Sequence, residues 1–140
     1  MFEYKFELDR VVDGDTIDVE IDLGFSIYHR ARVRLLGIDC PESRTKDLDE
    51  KRRGFLAKDF LSSCLENADS KVIKTSVDSK GKFGRVLGTI YCDEKNINQL
   101  MIKEHLAVEY KGQDKAEIEA EHLKNRQILI DKNIYIPGNG

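Results

Sequence analysis

Residues 4–38 read YKFELDRVVDGDTIDVEIDLGFSIYHRARVRLLGI, and this stretch decides the fold. Tyr4, Phe6 and Leu8 alternate with charged residues. Ile17, Val19 and Ile21 alternate with Asp18, Glu20 and Asp22, and Ala31, Val33 and Leu35 alternate with Arg30, Arg32 and Arg34. Successive side chains of a strand point to opposite faces, so a period of two is the pattern of a half-buried strand. Three such runs in succession predict an antiparallel meander. Asp13-Gly14, between the first two runs, is a dipeptide that tight hairpins favour because glycine takes positive φ without steric cost. Asp13 and Asp15 are thereby expected at a strand end.

Beyond this stretch the period changes. From about Asp49 to Leu65, Leu56, Phe60 and Cys64 recur at helical spacing, with Ala57, Leu61 and Leu65 widening the stripe, which predicts an amphipathic helix. Residues 72–77 and 86–92 return to strand composition, joined by the basic, turn-rich SKGKFGR of residues 79–85. Asn96 with Gln99 three residues on predicts a capped helix over 96–106. A last helix is expected from Asp114 to about Ile130, with Ala116, Ala120, Leu123, Gln127 and Ile130 on one face. Five strands interrupted by a helix after the third is the layout of an OB-type barrel, so the expected fold is α+β, mainly β: a five-stranded OB barrel with three helices. Residues 1–136 are expected to form one domain and 137–140 a frayed tail.

The 140 residues are enough for a core that needs neither disulfides nor a structural metal. Cys40, Cys64 and Cys92 are odd in number and far apart, which argues for reduced thiols and against a paired-cysteine zinc site. No stretch approaches the roughly 20 apolar residues of a membrane span, and the first ten residues have no apolar signal region, so no membrane role and a cytoplasmic location are expected. A net charge of −3 is wrong for a protein that coats nucleic acid, and any such contact has to be local.

Phosphodiester hydrolysis requires a hard cation, a group that orients or deprotonates water, and fixed positive charge for the phosphoryl oxygens. The VDGDT of residues 12–16 places Asp13 and Asp15 at a turn, and the GIDCPE of residues 37–42 adds Asp39 and Glu42 around a proline. Carboxylates and carbonyls suit calcium or magnesium rather than zinc. Arg34 and Arg85 offer the planar fork that matches two phosphoryl oxygens.

At these residues, VDGDT, RLLGIDCPE (34–42) and FGR (83–85), the chain resembles the staphylococcal (micrococcal) nuclease family. The resemblance runs on through INQL (97–100) and HLAVEY (105–110). It implies that Asp15 and Asp39 ligate one calcium ion through side chains and Cys40 through its backbone carbonyl, with Asp13 behind them. It further implies that Glu42 orients or deprotonates the attacking water, and that Arg34 and Arg85 stabilise five-coordinate phosphorus. Lys82, Phe83 and Tyr110 fall where family members contact the nucleotide. The implied reaction is calcium-dependent hydrolysis of DNA or RNA, single strands preferred, cleaving P–O5′ to leave 3′-phosphate ends, by a monomer. Cys40 stands where family members usually carry threonine and Phe83 where tyrosine is common.

Each motif also has a structural reading. Asp13-Gly-Asp15 serves as a hairpin turn in many proteins, and the acids of residues 39–42 serve as caps. Arg30 and Arg32 are expected on a solvated strand face, residues 51–53 in a solvated helix start, and His29, His105 and His122 as surface or partly buried structural histidines. The rival function is a catalytically silent barrel that binds nucleic acid or a protein. A magnesium-dependent phosphodiesterase acting on a small nucleotide uses the same groups.

Overall fold

In the computed structural model the described residues are 2–76 and 85–138. The elements in chain order are β1 (Phe2–Asp13), β2 (Thr16–Asp22), β3 (Tyr28–Leu35), β4 (Ile38–Asp39), α1 (Leu48–Glu66), β5 (Lys71–Ser76), β6 (Arg85–Cys92), β7 (Lys95–Asn96), α2 (Ile97–Lys103), β8 (Val108–Glu109) and α3 (Lys115–Asp131).

The meander forms as its alternation predicts. β2 pairs antiparallel with β1 and with β3, and Ile17, Val19 and Ile21 point inward, buried, while Asp18 and Glu20 face out. On that outer face Asp18 opposes Arg32 and Glu20 opposes Arg30, so the alternating charges become cross-strand ion pairs, Arg32 Nε lying 2.8 Å from Asp18 and Arg30 Nε 3.7 Å from Glu20. β5 pairs with β1 and with β6, and β6 runs parallel to β3, closing the sheet β3-β2-β1-β5-β6 on itself. This is the five-stranded OB-type barrel expected from the sequence.

The barrel is filled by Ile17, Val33, Leu35, Ile73 and Ile90 and plugged by Leu61 and Leu65 of α1 and Met101 of α2, all at most 1% exposed. Burial of each large aliphatic side chain stabilises by about 1.5–3 kcal/mol. The α1 stripe centres on Ala57, Leu61 and Leu65, with Leu56, Phe60 and Cys64 only partly buried at its edge, so the sequence places the helix correctly and its deepest line one residue off.

Asp47, Asn96 and Asp114 cap the three helices, Asn96 accepting from Gln99 N at 3.0 Å as its spacing predicts. Two expectations change. α2 ends at Lys103 rather than at Leu106, because His105 adopts φ +63° and the amides of Leu106 and Ala107 both turn back to the Met101 carbonyl. The chain then enters β8, which pairs with β4. The buried face of α3 is also not the predicted one: Ala116, Ala120, Leu123 and Gln127 are exposed, and His122 and Leu129 are buried.

Candidate active site

The hairpin between β1 and β2 carries Gly14 and Asp15 into contact with α1. A Cβ on Gly14 would lie 2.6 Å from that of Ala57 and 3.0 Å from Cys40 Sγ, so only glycine lets the turn come this close. The approach places Asp15 beneath β3 and the residues that follow it. The Asp15 carbonyl accepts from Leu35 N at 2.8 Å, and its carboxylate accepts from Cys40 N at 2.9 Å and from the Thr16 hydroxyl at 3.0 Å. The two short motifs, 12–16 and 37–42, are thereby joined at one point.

Arg34 lies at the end of β3, opposite Thr16. Its side chain, on the face that carries Arg30 and Arg32 in solvent, is only 19% exposed. Nη1 lies 3.4 Å from Asp15 Oδ2 and Nη2 lies 3.6 Å from Asp39 Oδ1, so one guanidinium bridges both carboxylates. Asp39 is fixed by its pairing with Val108 in the short β4–β8 ladder, and Tyr110, just beyond, donates its amide to the Gly37 carbonyl at 2.8 Å. Tyr110 therefore stands beside the site with its ring partly exposed.

Burial pushes the Asp15 carboxyl above its ordinary range; the Arg34 charge and the Cys40 N–H pull against this and the Asp39 charge adds to it. A buried carboxylate beside a second one, with one arginine between them, is a donor set that a hard divalent cation suits. Among the described residues no cluster of three or more His, Cys, Asp or Glu side chains is assembled to hold a metal. Asp15 and Asp39 fit such an ion only if carbonyl, water or substrate oxygens complete the shell, which is a common pattern for calcium and magnesium. Burial and the neighbouring Asp15 charge raise the Cys40 thiol well above its usual range, so it stays neutral, leaving only its backbone to contribute.

Asp13 receives a hydrogen bond from the Ser43 hydroxyl and lies 3.9 Å from Arg44, so it braces the loop after Glu42. Glu42 itself is exposed, three residues beyond Asp39, and its amide donates to Glu50 Oε2 of α1 at 3.0 Å. Lys82 and Phe83 lie outside the described residues. The backbone of Arg85 opens β6 opposite Arg32, two positions before Leu87, which pairs with Arg34; its side chain lies outside what the structure describes.

Sequence reasoning missed three residues around this site. His122, expected to be a structural or surface histidine, is buried on α3 and donates from Nε2 to Asp39 Oδ2 at 2.8 Å. Arg53, expected in a solvated helix start, is 5% exposed and paired with Asp49, which also accepts from Arg126 at 3.0 Å and from the Tyr135 hydroxyl. Asn98, buried on α2, links Leu36, just past β3, to Gly88 and Ile90 of β6. Only its position two residues after the Asn96 cap was visible in sequence, and that gives no hint of its bonds.

The chain is 32% identical over 114 residues to an endonuclease, YhcR, of Bacillus subtilis (strain 168), covering 77% of this chain and 9% of that protein. It is 27% identical over 135 residues to a thermonuclease of Staphylococcus hyicus, covering 95% of this chain and 76% of that one. It is 30% identical over 118 residues to a micrococcal nuclease of Shigella flexneri, covering 78% and 60% respectively. The chain thus spans a small part of some relatives and most of others. The family model described as staphylococcal nuclease homologue matches residues 32–130, from the middle of β3 to the end of α3 and through Arg34, Asp39, Glu42 and Arg85. By that match the chain belongs to the staphylococcal nuclease family.

Proposed function

We propose that this chain is a nuclease that hydrolyses phosphodiester bonds in DNA or RNA, in a calcium-dependent reaction that breaks the P–O5′ bond and leaves 3′-phosphate ends. The observation that carries the reading is the convergence of Asp15, Asp39 and Arg34 at one end of the barrel, with the guanidinium within 3.4–3.6 Å of both carboxylates. Family membership and the names of the relatives support a nucleic-acid substrate.

Asp15 and Asp39, with the Cys40 carbonyl, would hold the cation, which supplies positive charge next to the scissile phosphate. Arg34 Nη1 donates to the carbonyls of Asp15 and Leu35, at 3.4 and 3.2 Å, which holds the guanidinium at the site where a phosphate would meet it. Glu42 projects from the rim and takes the proton of the attacking water. Arg85 is assigned the second guanidinium and Lys82, Phe83 and Tyr110 the nucleotide. A flexible single strand, whose phosphates can adapt to largely buried charged groups, is the proposed form of the substrate. With a net charge of −3, the chain relies on the cation and on local positive charge such as that of Arg34 to attract a polyanion.

The test is digestion of denatured DNA and of RNA by the purified chain in calcium, in magnesium and in EGTA, with the product ends analysed. Cleavage in calcium alone, with 3′-phosphate ends, is the expected result. Cleavage in magnesium without calcium would replace the proposed metal. No cleavage by a folded chain that binds calcium would make it a silent binding module.

A further inference from the structure

Glu42 carries a demand that its neighbours do not. A group that removes a proton from water has to be held to within a fraction of an ångström, yet Glu42 is exposed and follows a proline in a loop rather than lying in a strand or helix. Something else has to fix the peptide from which it projects.

The structure shows three grips on that peptide. The Glu42 amide donates to Glu50 Oε2 at 3.0 Å. A Cβ built on Gly54 would lie 2.5 Å from the Glu42 carbonyl oxygen, 2.6 Å from its carbon and 2.7 Å from Ser43 N, so the Glu42–Ser43 peptide rests directly on the bare backbone of α1. Ser43, 3% exposed, donates its hydroxyl to Asp13 on the β1 side. Glycine inside a helix is the poorest helix former after proline, and Gly54 lies well within α1, so its presence there has to be explained by something other than helix stability. Contact with the Glu42 peptide explains it.

The platform is itself anchored. The Asp47 side chain accepts from the amides of Asp49 and Glu50 at the start of α1, and Asp49 is tied to Arg53, to Arg126 of α3 and to Tyr135. The first two turns of α1 are therefore fixed to the helix that closes the fold, and Glu50 and Gly54 are two points on that fixed surface.

We infer that Glu50 and Gly54 are positioning residues for Glu42: the helix N-terminal half of α1 is a seat that sets where the Glu42 carboxylate meets water. The inference rests on the nuclease reading above, and on Glu42 acting in it. It separates these two residues from the cation and substrate contacts, which lie on Asp15, Asp39 and Arg34.

The experiment compares Gly54→Ala, Glu50→Ala and Glu50→Gln with the parent chain and with Glu42→Ala, measuring kcat and KM on denatured DNA and calcium affinity by calorimetry. Gly54→Ala and Glu50→Ala are expected to lower kcat by roughly 10- to 100-fold, the scale of a displacement of about 1 Å, with KM and calcium affinity unchanged. Glu50→Gln keeps an acceptor for the Glu42 amide and is expected to retain most of the rate. In a Glu42→Ala background, Gly54→Ala is expected to cost nothing further, because residues that act as a unit are not additive. Exchange of the Glu42 amide proton, followed by NMR, is expected to speed up in Glu50→Ala and gives a readout independent of turnover. Equal losses in both backgrounds, or full activity of Gly54→Ala and Glu50→Ala, would overturn the inference while leaving the nuclease reading in place. A parent chain that cleaves nothing, or a Glu42→Ala variant as active as the parent, would refute the reading beneath it and the inference with it.

Discussion

Replacing Asn98 by alanine tests how the barrel is closed next to the site. Asn98 is 2% exposed, and its amide makes three bonds: Oδ1 accepts from Ile90 N at 3.1 Å, and Nδ2 donates to the carbonyls of Leu36 at 2.9 Å and Gly88 at 3.1 Å. The Gly88 carbonyl also accepts from Leu36 N at 2.8 Å, so it keeps a partner in the variant, whereas the Ile90 amide and the Leu36 carbonyl lose theirs. Each stranded group costs about 1–3 kcal/mol, so two of them together predict a loss of about 2–6 kcal/mol, a large share of the roughly 5–15 kcal/mol of a typical domain. With a urea m-value of about 2 kcal/mol/M, the midpoint should fall by about 1–3 M at constant m. Asn98→Asp keeps the acceptor for Ile90 but sets a carboxylate against two carbonyls, and should be worse at neutral pH. Equilibrium urea unfolding followed by circular dichroism measures both. A loss below about 1 kcal/mol in Asn98→Ala would show that water or a small backbone shift satisfies these groups, and that the three bonds do not hold β3 to β6.

Three further outcomes follow from the same structure. Arg34→Ala should lower turnover by roughly 10²–10³-fold, the scale for one well-placed electrostatic group, with the far-ultraviolet spectrum intact; a rate near that of the parent would remove Arg34 from the chemistry. His122→Ala frees Asp39 Oδ2 and should weaken calcium binding by about 10- to 100-fold, the usual cost of losing a partner behind a metal ligand, while His122→Gln, which can still donate, should recover much of it; calorimetry showing the same affinity in all three proteins would make the 2.8 Å contact purely structural. Burial pushes Asp49 up, but hydrogen bonds from Tyr135 and Arg126 and the charge of Arg53 outweigh it, so its folded value lies below the ordinary 3.8. The stability it contributes is present above pH 3.8 and is lost as pH falls through the lower folded value. Asp49→Asn should therefore be less stable than the parent at neutral pH and show a shallower loss in that acid window, which acid titrations of the two proteins would reveal.

What the sequence disclosed about fold and site is what the local backbone imposes. The alternation in residues 4–35 placed three strands, Asp13-Gly14 placed a hairpin, and Asn96 and Asp114 placed two helix starts, because each of these is decided within a few residues. That Asp15, Arg34 and Asp39 come together was legible for a related reason: they are charged residues at strand ends and turns, in two short motifs that the barrel joins at one end. The side chain of Arg34 is the instructive case. Alternation assigns it to the face of Arg30 and Arg32, between buried Val33 and Leu35, and at this end of the strand that face is covered, with Asp15 and Asp39 at 3.4 and 3.6 Å.

The residues that were missed act across distance. Leu123 looks like the buried residue of α3 and His122 like its solvated neighbour, yet Leu123 is 50% exposed and His122 only 7%. Hydrophobicity alone selects leucine at that point, and α3 is too evenly charged for periodicity to correct the choice. The register is decided instead by a partner 83 residues earlier, since Asp39 offers a carboxylate that a buried imidazole can bond, and a buried polar group with a partner costs little where one without costs much. The same logic applies to Arg53 and Arg126, which share the Asp49 carboxylate from two different helices. Burial of a polar side chain depends on its partner, and the partner is supplied by topology, so α3 and the first turns of α1 become intelligible only after the barrel has brought β4, α1 and α3 to one end.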